Sequence, residues 1–496
     1  MRSRSPVQLD LAARRAELAP RRPAVWWRGD WIDYGTLNAR AERLAGRLYA
    51  EGIRPGERVS ILAHNHLAHL DLILATAKTG AVYAPLNVRL APAEQTAIAA
   101  YLRPALLLHD ADHEEGAAAT GVRRFALEGY DAWLGDPDPA PVPDLTLDDP
   151  QMILLTGGTT GLPKGAVQPY RQGFVNAENT VLSWGLREDD GCVQATPCFH
   201  AAVNALTVPL LHVGGRVALL ERFDPAAYLD AVQSSDATLM FLVPTMYQVV
   251  AEDAAFPAAD LSRIRWAISG GAPCPDPVRR AFADRGVRFK QGYGLTEAGV
   301  NCFAIDLDDA GAHPDAVGVP MLRALAEVRR PDGTACDAGE VGELTLAGQH
   351  LFSGYFERPA ETAEALRDGW LWTGDLASRD AEGRYRIVGR RKEMFISGGE
   401  NVYPAEIERA LHDHPGVGSC AVVGVPDERW GEVGLMAVVP RPGVDVTGEE
   451  LRAWLRERLA RYKVPKHVRL LDALPTSGAG KILKTELARA FEEETR

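Results

Sequence analysis

Thr156-Gly157-Gly158-Thr159-Thr160-Gly161-Leu162-Pro163-Lys164-Gly165 follows directly on the apolar run Met152–Leu155. An apolar run this short, bounded by glycines, reads as a buried strand that ends in a loop. Glycine lets backbone N–H groups converge on an anion, the threonine hydroxyls add donors, and Lys164 adds charge. A plain surface linker has no need of that combination. It is not a Walker A loop, because Pro163 and Gly165 flank the lysine where that motif requires Gly and Ser/Thr.

Outward from this loop, helix and strand signals alternate. Upstream, Leu37, Ala41, Leu44 and Leu48 recur at helical spacing and Gly52 closes that helix. A strand over Val59–Ala63, a helix to about Thr79 and a short strand over Ala81–Ala84 form a βαβ pattern. Such a pattern implies a parallel sheet covered by helices. The segment Gly135–Pro150 holds five prolines and five aspartates and reads as a surface connection. Downstream, Arg216–Leu220 reads as a strand, and Asp224 caps a helix that has Pro225 at its first position. Leu239–Val243 is the next strand, and Ile264, Trp266 and Ile268 alternate up to Gly270-Gly271. From about Asp315 to Arg390 the chain turns to short strands with frequent glycines, as a small β-rich subdomain would. The last hundred residues read helix, strand, strand, helix, strand. The expected fold is therefore α/β: a large N-terminal domain of helix-covered, mostly parallel sheets with a β-rich subdomain, then a small α+β C-terminal domain.

Composition agrees with such a molecule. At about 150 residues per domain, 496 residues make roughly two to four compact units. Apolar residues at 46% and charged residues at 24% exclude disorder and small disulfide scaffolds. A net charge of −13 argues against a broad nucleic-acid surface. Cys192, Cys198, Cys274, Cys302, Cys336 and Cys420 include no CxxC pair and read as reduced thiols. Residues 1–25 contain six arginines but no apolar run of signal-peptide length, and no stretch approaches the roughly 20 apolar residues of a membrane span. A cytoplasmic location is expected.

The glycine- and threonine-rich loop resembles the phosphate loop of the adenylate-forming superfamily, which comprises acyl-CoA synthetases, luciferases and peptide-synthetase adenylation domains. That loop is usually written T-S-G-T-T-G-x-P-K-G. Further family motifs follow in order: Pro197-Cys198-Phe199-His200, Gly270-Gly271-Ala272-Pro273, and Gln291-Gly292-Tyr293-Gly294-Leu295-Thr296-Glu297. Trp372-Thr373-Gly374-Asp375, Gly389-Arg390-Arg391-Lys392-Glu393, Ser397-Gly398-Gly399-Glu400-Asn401 and Gly480-Lys481-Ile482 complete the set. Three positions depart from the pattern. Gly157 replaces a serine hydroxyl, which implies weaker nucleotide binding; Asn204 stands where glycine is common, near the acyl pocket; Thr476 follows Pro475 where Lys or Arg is common.

The resemblance implies a role for each matching residue. Thr156, Gly157, Gly158, Thr159, Thr160, Gly161 and Lys164 would hold the ATP phosphates. Gly271, Ala272, Gln291, Gly292, Tyr293, Asp375 and Arg390 would hold the rest of the nucleotide, with Asp375 on the ribose hydroxyls. Thr296 would meet a phosphate oxygen and Glu297 the Mg²⁺, a hard cation that prefers oxygen ligands. His200 would border the acyl pocket and the α-phosphate; as a lone histidine in an apolar stretch it would read as a core residue. Lys481 would bridge the substrate carboxylate and the α-phosphate while charge builds there. Lys392 would be the hinge and Gly399 would wall the pantetheine tunnel. The implied domains are 1–389, a hinge at 390–392, and a mobile unit at 393–496.

These residues together imply an ATP-dependent acid–CoA ligase using ATP, Mg²⁺ and coenzyme A. The stretch Val243–Val250, expected to line the acyl pocket, contains no cation, so the second charge of a dicarboxylate would stay unpaired. Ala201 and Ala202 leave room beside it. A medium- or long-chain fatty acid is the expected substrate, with an aryl acid as the alternative. A separate carrier protein as acyl acceptor, or a non-catalytic nucleotide-binding regulator, are the rival readings. The chain ends fifteen residues after Lys481, so no fused carrier domain is expected. A homodimer is admitted as the assembly. His64, His66 and His69 are spaced by two and three, without the i,i+4 pairing of a helical zinc site, so no metal is expected on that cluster.

Overall fold

The computed structural model describes residues 9–156, 163–476 and 482–495. Gly157, Gly158, Thr159, Thr160, Gly161 and Lys481 lie outside the described residues.

Two seven-stranded sheets organise the N-terminal part. The first runs, in spatial order, Phe289–Gln291, Trp266–Ser269, Leu239–Leu242, Gly191–Gln194, Arg216–Leu219, Pro23–Trp27 and Asp30–Asp33. All its pairings are parallel except the hairpin between Pro23–Trp27 and Asp30–Asp33, which the sequence reading did not find. The second runs Gly354–Tyr355, Lys164–Pro169, Pro150–Thr156, Val82–Tyr83, Arg58–Leu62, Leu106–His109 and Arg124–Ala126. It is parallel through its middle and antiparallel at the Lys164–Pro169 edge. Strands anticipated at Val59–Ala63 and Leu239–Val243 thus fall within a residue of their places.

One core joins the two sheets. Val217 and Leu219 of the first share it with Ile61 and Leu154 of the second, across the helix Leu67–Thr79. Every residue from Leu67 to Thr76 is buried, as in a helix enclosed on all sides. Even Asp71 is sealed inside, held by Arg40 at 2.9 Å and by the Tyr130 hydroxyl at 3.1 Å. A buried carboxylate without such partners would be strongly destabilising. The alternation of Ile264, Trp266 and Ile268 misleads in one respect: all four residues of Trp266–Ser269 are buried, because this strand lies between two parallel neighbours with both faces covered.

The third sheet is antiparallel and corresponds to the β-rich region: Phe303–Ala304, Ala316–Pro320, Tyr385–Arg390, Trp370–Arg379, Val341–Ala347 and Leu325–Arg329, with Leu366–Arg367 beside Trp370. The C-terminal unit has the expected order: helix Pro404–His412, strands Val417–Asp427 and Gly431–Pro440, helix Gly448–Arg456, strand His467–Leu470. A short hairpin, Phe395–Ser397 with Glu400–Val402, precedes it, and the helix Lys484–Thr495 follows. Thr447 and Glu450 form a reciprocal capping box at the second helix. The unit meets the rest of the chain through Arg409 and Asp315, 3.1 Å apart. All six cysteines are buried and unpaired. Among the described residues, no helix is long and apolar enough to cross a membrane.

Candidate active site

Three of the candidate loops follow the carboxyl ends of parallel strands, where open α/β sheets place their ligands. Gln194 ends the strand that leads to Pro197-Cys198-Phe199-His200, Ser269 the strand that leads to Gly270-Gly271, and Gln291 the strand that leads to Thr296-Glu297. In the second sheet, Thr156 and Lys164 are register partners at the mouth of the phosphate-type loop, and the Thr156 hydroxyl donates to the Lys164 carbonyl at 3.3 Å.

Gln291 ties two of these loops together. Its Oε1 accepts from the Cys274 N–H at 2.9 Å, while its Nε2 donates to the Ala272 carbonyl at 3.1 Å. Gly292 N–H donates to the Ser269 carbonyl at 2.7 Å. Gly271 has φ +85°, a conformation glycine adopts without steric cost, and this turns the exposed Gly271-Ala272 backbone across the strand ends.

Asp375 and Arg390 are register partners on neighbouring antiparallel strands. The Asp375 carboxylate is buried; its Oδ2 accepts from the Tyr293 hydroxyl at 2.5 Å, and Arg390 Nε stands 2.7 Å from Oδ1. Burial and the adjacent carboxylate raise the Tyr293 hydroxyl well above its ordinary range, so it stays a donor. Burial alone would lower Arg390, but the Asp375 charge, together with Tyr293, Glu393 and Glu297, raises it above its ordinary range and keeps the guanidinium protonated.

Glu297 is buried in a one-turn helix, Thr296–Ala298. Its Oε1 accepts from the Tyr355 hydroxyl at 2.8 Å. Tyr355 is a residue the sequence reading missed, and it also links Glu297 to the loop mouth: Lys164 Nζ lies 4.8 Å from the centre of its ring. Burial, then the Glu297 charge, raises the Tyr355 hydroxyl above its ordinary range.

A buried amide network, likewise missed, supports this turn from behind. Gln168 and Gln172 both donate to the Thr296 carbonyl, at 2.9 and 3.0 Å. Asn204 donates to Gln168 Oε1 at 3.1 Å and accepts from Asn176 Nδ2 at its carbonyl at 2.9 Å. The Asn204 side chain is therefore engaged with Gln168. The i,i+4 spacing of Gln172, Asn176 and Thr180 on the helix Tyr170–Trp184 was the available signal.

The structure places further site elements. His200 is exposed rather than set in an apolar core; it caps the buried turn Ala201–Asn204, its Nδ1 accepting from Ala202 N–H at 3.4 Å. The stretch Val243–Val250 is only partly a pocket wall. It forms the helix Pro244–Glu252, where Val243 and Met246 are half-buried but Tyr247 and Val250 are sealed in the core. Gly399 is exposed and a Cβ there would meet nothing within 4 Å; its requirement is φ +88° in a two-residue hairpin loop with Gly398. Lys392 is exposed in the turn Arg391–Glu393.

Lys481 falls between two described anchors. Thr476 and Ile482 form a β-bridge, and Lys484 Nζ sits 2.8 Å from both Glu393 and Glu408.

Comparison with known proteins adds the following. A family model described as AMP-binding enzyme matches residues 12–356, and one described as AMP-binding enzyme C-terminal domain matches residues 406–481. A feruloyl-CoA synthase of Amycolatopsis sp is 43% identical over 480 residues, 96% of this chain and 98% of that protein. An indoleacetate–CoA ligase of Aromatoleum aromaticum is 33% identical over 498 residues, 97% of this chain and 98% of that one. The crystal structure of ATP-bound MatB from Rhodopseudomonas palustris matches with a TM-score of 0.90 at 31% identity, covering 99% of this chain and 100% of that one.

Proposed function

This chain belongs to the AMP-binding enzyme family and is an AMP-forming acid–CoA ligase, and we propose that the acid it activates is aromatic. In the first half-reaction a carboxylate oxygen attacks the α-phosphorus of ATP and pyrophosphate leaves. In the second the CoA thiol attacks the acyl carbon and AMP leaves.

The observation that carries the ligase reading is the Tyr293–Asp375–Arg390 arrangement beside Glu297, all within reach of strand-end loops. Asp375 accepts from the ribose hydroxyls, oriented by Tyr293 and Arg390. Gln291 holds the Gly271-Ala272 backbone against the nucleotide. Residues 156–164 hold the phosphates. Glu297, with Oε1 engaged by Tyr355, offers Oε2 to Mg²⁺; when bound, the ion neutralises charge on the phosphate oxygens. His200 stands at the exposed rim where acid and α-phosphate meet. Lys481 donates to the reacting oxygens, and the C-terminal unit then rotates about Lys392 to admit CoA.

Two lines support an aromatic acid. The relatives above are named for feruloyl and indoleacetate groups. Behind half-buried Val243 and Met246, Tyr247 packs edge-on against Phe282 and Phe289 at ring distances of 5.1 and 5.0 Å, and its hydroxyl donates to the Ile268 carbonyl at 3.1 Å. A long alkyl chain entering past Val243 and Met246 would have to displace this packed cluster. Pyrophosphate release across a panel of hydroxycinnamic, arylacetic, fatty and dicarboxylic acids tests the assignment. The best aryl acid is expected to exceed the best fatty acid in kcat/KM by at least about tenfold, ~1.4 kcal/mol. The reverse order restores the fatty-acid reading, and release independent of any acid sinks the ligase assignment.

Gly399 offers a second test, because the open space around it separates backbone strain from bulk. Gly399→Ala and Gly399→Leu carry the same strain at positive φ, about 1–2 kcal/mol. If pantetheine passes here, Gly399→Leu slows thioester formation at least about tenfold while adenylate formation persists, and Gly399→Ala keeps both steps. Equal effects of alanine and leucine would assign the glycine to the turn alone.

A further inference from the structure

The histidine-rich segment after the strand Arg58–Leu62 divides on folding. His66 caps the helix Leu67–Thr79, its Nδ1 accepting from Ala68 N–H at 3.1 Å. His69 is fully buried with Nδ1 2.7 Å from the Tyr83 hydroxyl. His64 goes elsewhere. The strands Arg58–Leu62 and Leu106–His109 are parallel neighbours with Leu62 opposite His109, so His64 and Asp110 leave the same end of the sheet side by side. The turn Ala111–His113 then folds His113 back onto Asp110, where its Nδ1 meets Oδ1.

From this juxtaposition we infer that His64, Asp110 and His113 bind a divalent transition cation of the zinc type. Their ligand atoms lie within 4.8 Å of one another, and the two imidazole rings are 5.0 Å apart. Ligands at zinc–nitrogen and zinc–oxygen bond lengths stand about 3.4 Å apart around a tetrahedral ion, so closure requires side-chain movements of about 1 Å. Asp110 is already oriented: its Oδ2 accepts from the His64 backbone N–H at 2.8 Å. Such outer support is what aims a metal-binding carboxylate. Asp112 supplies a candidate fourth ligand, with Oδ2 3.7 Å from His64 Nε2, although it also pairs with Arg222. All three principal residues are half-buried, which leaves a path for the ion. Two imidazoles and a carboxylate select zinc, cobalt or nickel over Mg²⁺, so this site is chemically separate from Glu297.

Its position gives the ion a structural task. Asn65, next to His64, donates to the carbonyls of Thr196 at 3.1 Å and Leu220 at 3.0 Å and accepts from Cys198 N–H at 2.7 Å. A cation on His64 would therefore brace the junction between the two large sheets, just before the loop that carries His200.

Co²⁺ titration of the full-length, chelator-treated, nucleotide-free protein tests this through visible d–d absorption. Uptake of about one Co²⁺ per chain is expected, displaced by Zn²⁺ and indifferent to excess Mg²⁺. His64→Gln and His113→Gln should each weaken it at least about tenfold, while Glu297→Gln should not. No saturable absorption, or unchanged binding in both histidine variants, overturns the site. Should either variant lose its cooperative thermal transition, anomalous diffraction from a Zn²⁺-soaked wild-type crystal decides. A peak between His64, Asp110 and His113 supports the assignment, and its absence there refutes it.

Discussion

Replacing Lys481 by alanine is expected to slow acid- and ATP-dependent adenylate formation by about 10²–10³, roughly 3–4 kcal/mol, while supplied acyl-adenylate and CoA react at close to the normal rate. The asymmetry follows from when the charge is needed. An ammonium bridging the carboxylate and the α-phosphate stabilises the transition state of the first step; in the proposed second arrangement the C-terminal unit has carried Lys481 away, so the charge on the departing AMP is met by other groups. The described residues on either side of Lys481 are anchored. Thr476 and Ile482 are bridged, Leu483 N–H donates to the Pro475 carbonyl at 2.8 Å, and Lys484 is clamped between Glu393 and Glu408. Because Glu393 adjoins the proposed hinge residue, rotation there would carry Lys484 with it. Lys392→Pro should then give the opposite pattern, since fixing φ near −65° restricts the hinge and spares the first arrangement. Both variants are measured in both half-reactions. A Lys481→Ala enzyme equally slow in the two assays would rule out a step-specific role.

Glu297→Gln should reduce adenylation by about 10², close to 2.7 kcal/mol, and remove most of its Mg²⁺ dependence at moderate metal concentration. The substitution is well isolated by its surroundings. The amide oxygen of glutamine can still accept from Tyr355, and the turn is held through the backbone by Gln168, Gln172 and the Phe352 N–H, which donates to the residue 297 carbonyl at 2.8 Å. The thermal midpoint should therefore move little. Tyr355→Phe separates orientation from charge: it keeps the carboxylate but frees it to rotate, so a smaller loss recovered by raising Mg²⁺ is expected. If Glu297→Gln retains the wild-type rate and metal response, the cation is held elsewhere.

Short-range chemistry made much of this molecule legible before folding. Strand ends, caps and turns depend on a few adjacent residues, which is why Asp224 caps its helix as read, its side chain accepting from Ala227 N–H at 2.9 Å, and why the strand before Gly270-Gly271 ends where the glycine pair begins. The order of motifs was equally readable, and so was the α/β class, because βαβ connectivity follows from alternating periodicities alone. Contacts between segments far apart in sequence were not. The Tyr355–Glu297 bond spans 58 positions and the Gln168–Thr296 bond 128, and no local pattern distinguishes those side chains from solvated ones. Burial is likewise a property of the assembled layers: it sealed Tyr247 into the core, left His200 at the rim and hid Asp71 beside Arg40. The histidines at 64, 66 and 69 show the division most plainly. Their spacing lacks the i,i+4 pairing of a helical metal site, and which partner each ring meets was settled only when parallel pairing set Asp110 beside His64 and the turn at 111–113 returned His113 to it. Sequence fixes what a residue can do within a few bonds of itself, and packing decides which distant group it does it with.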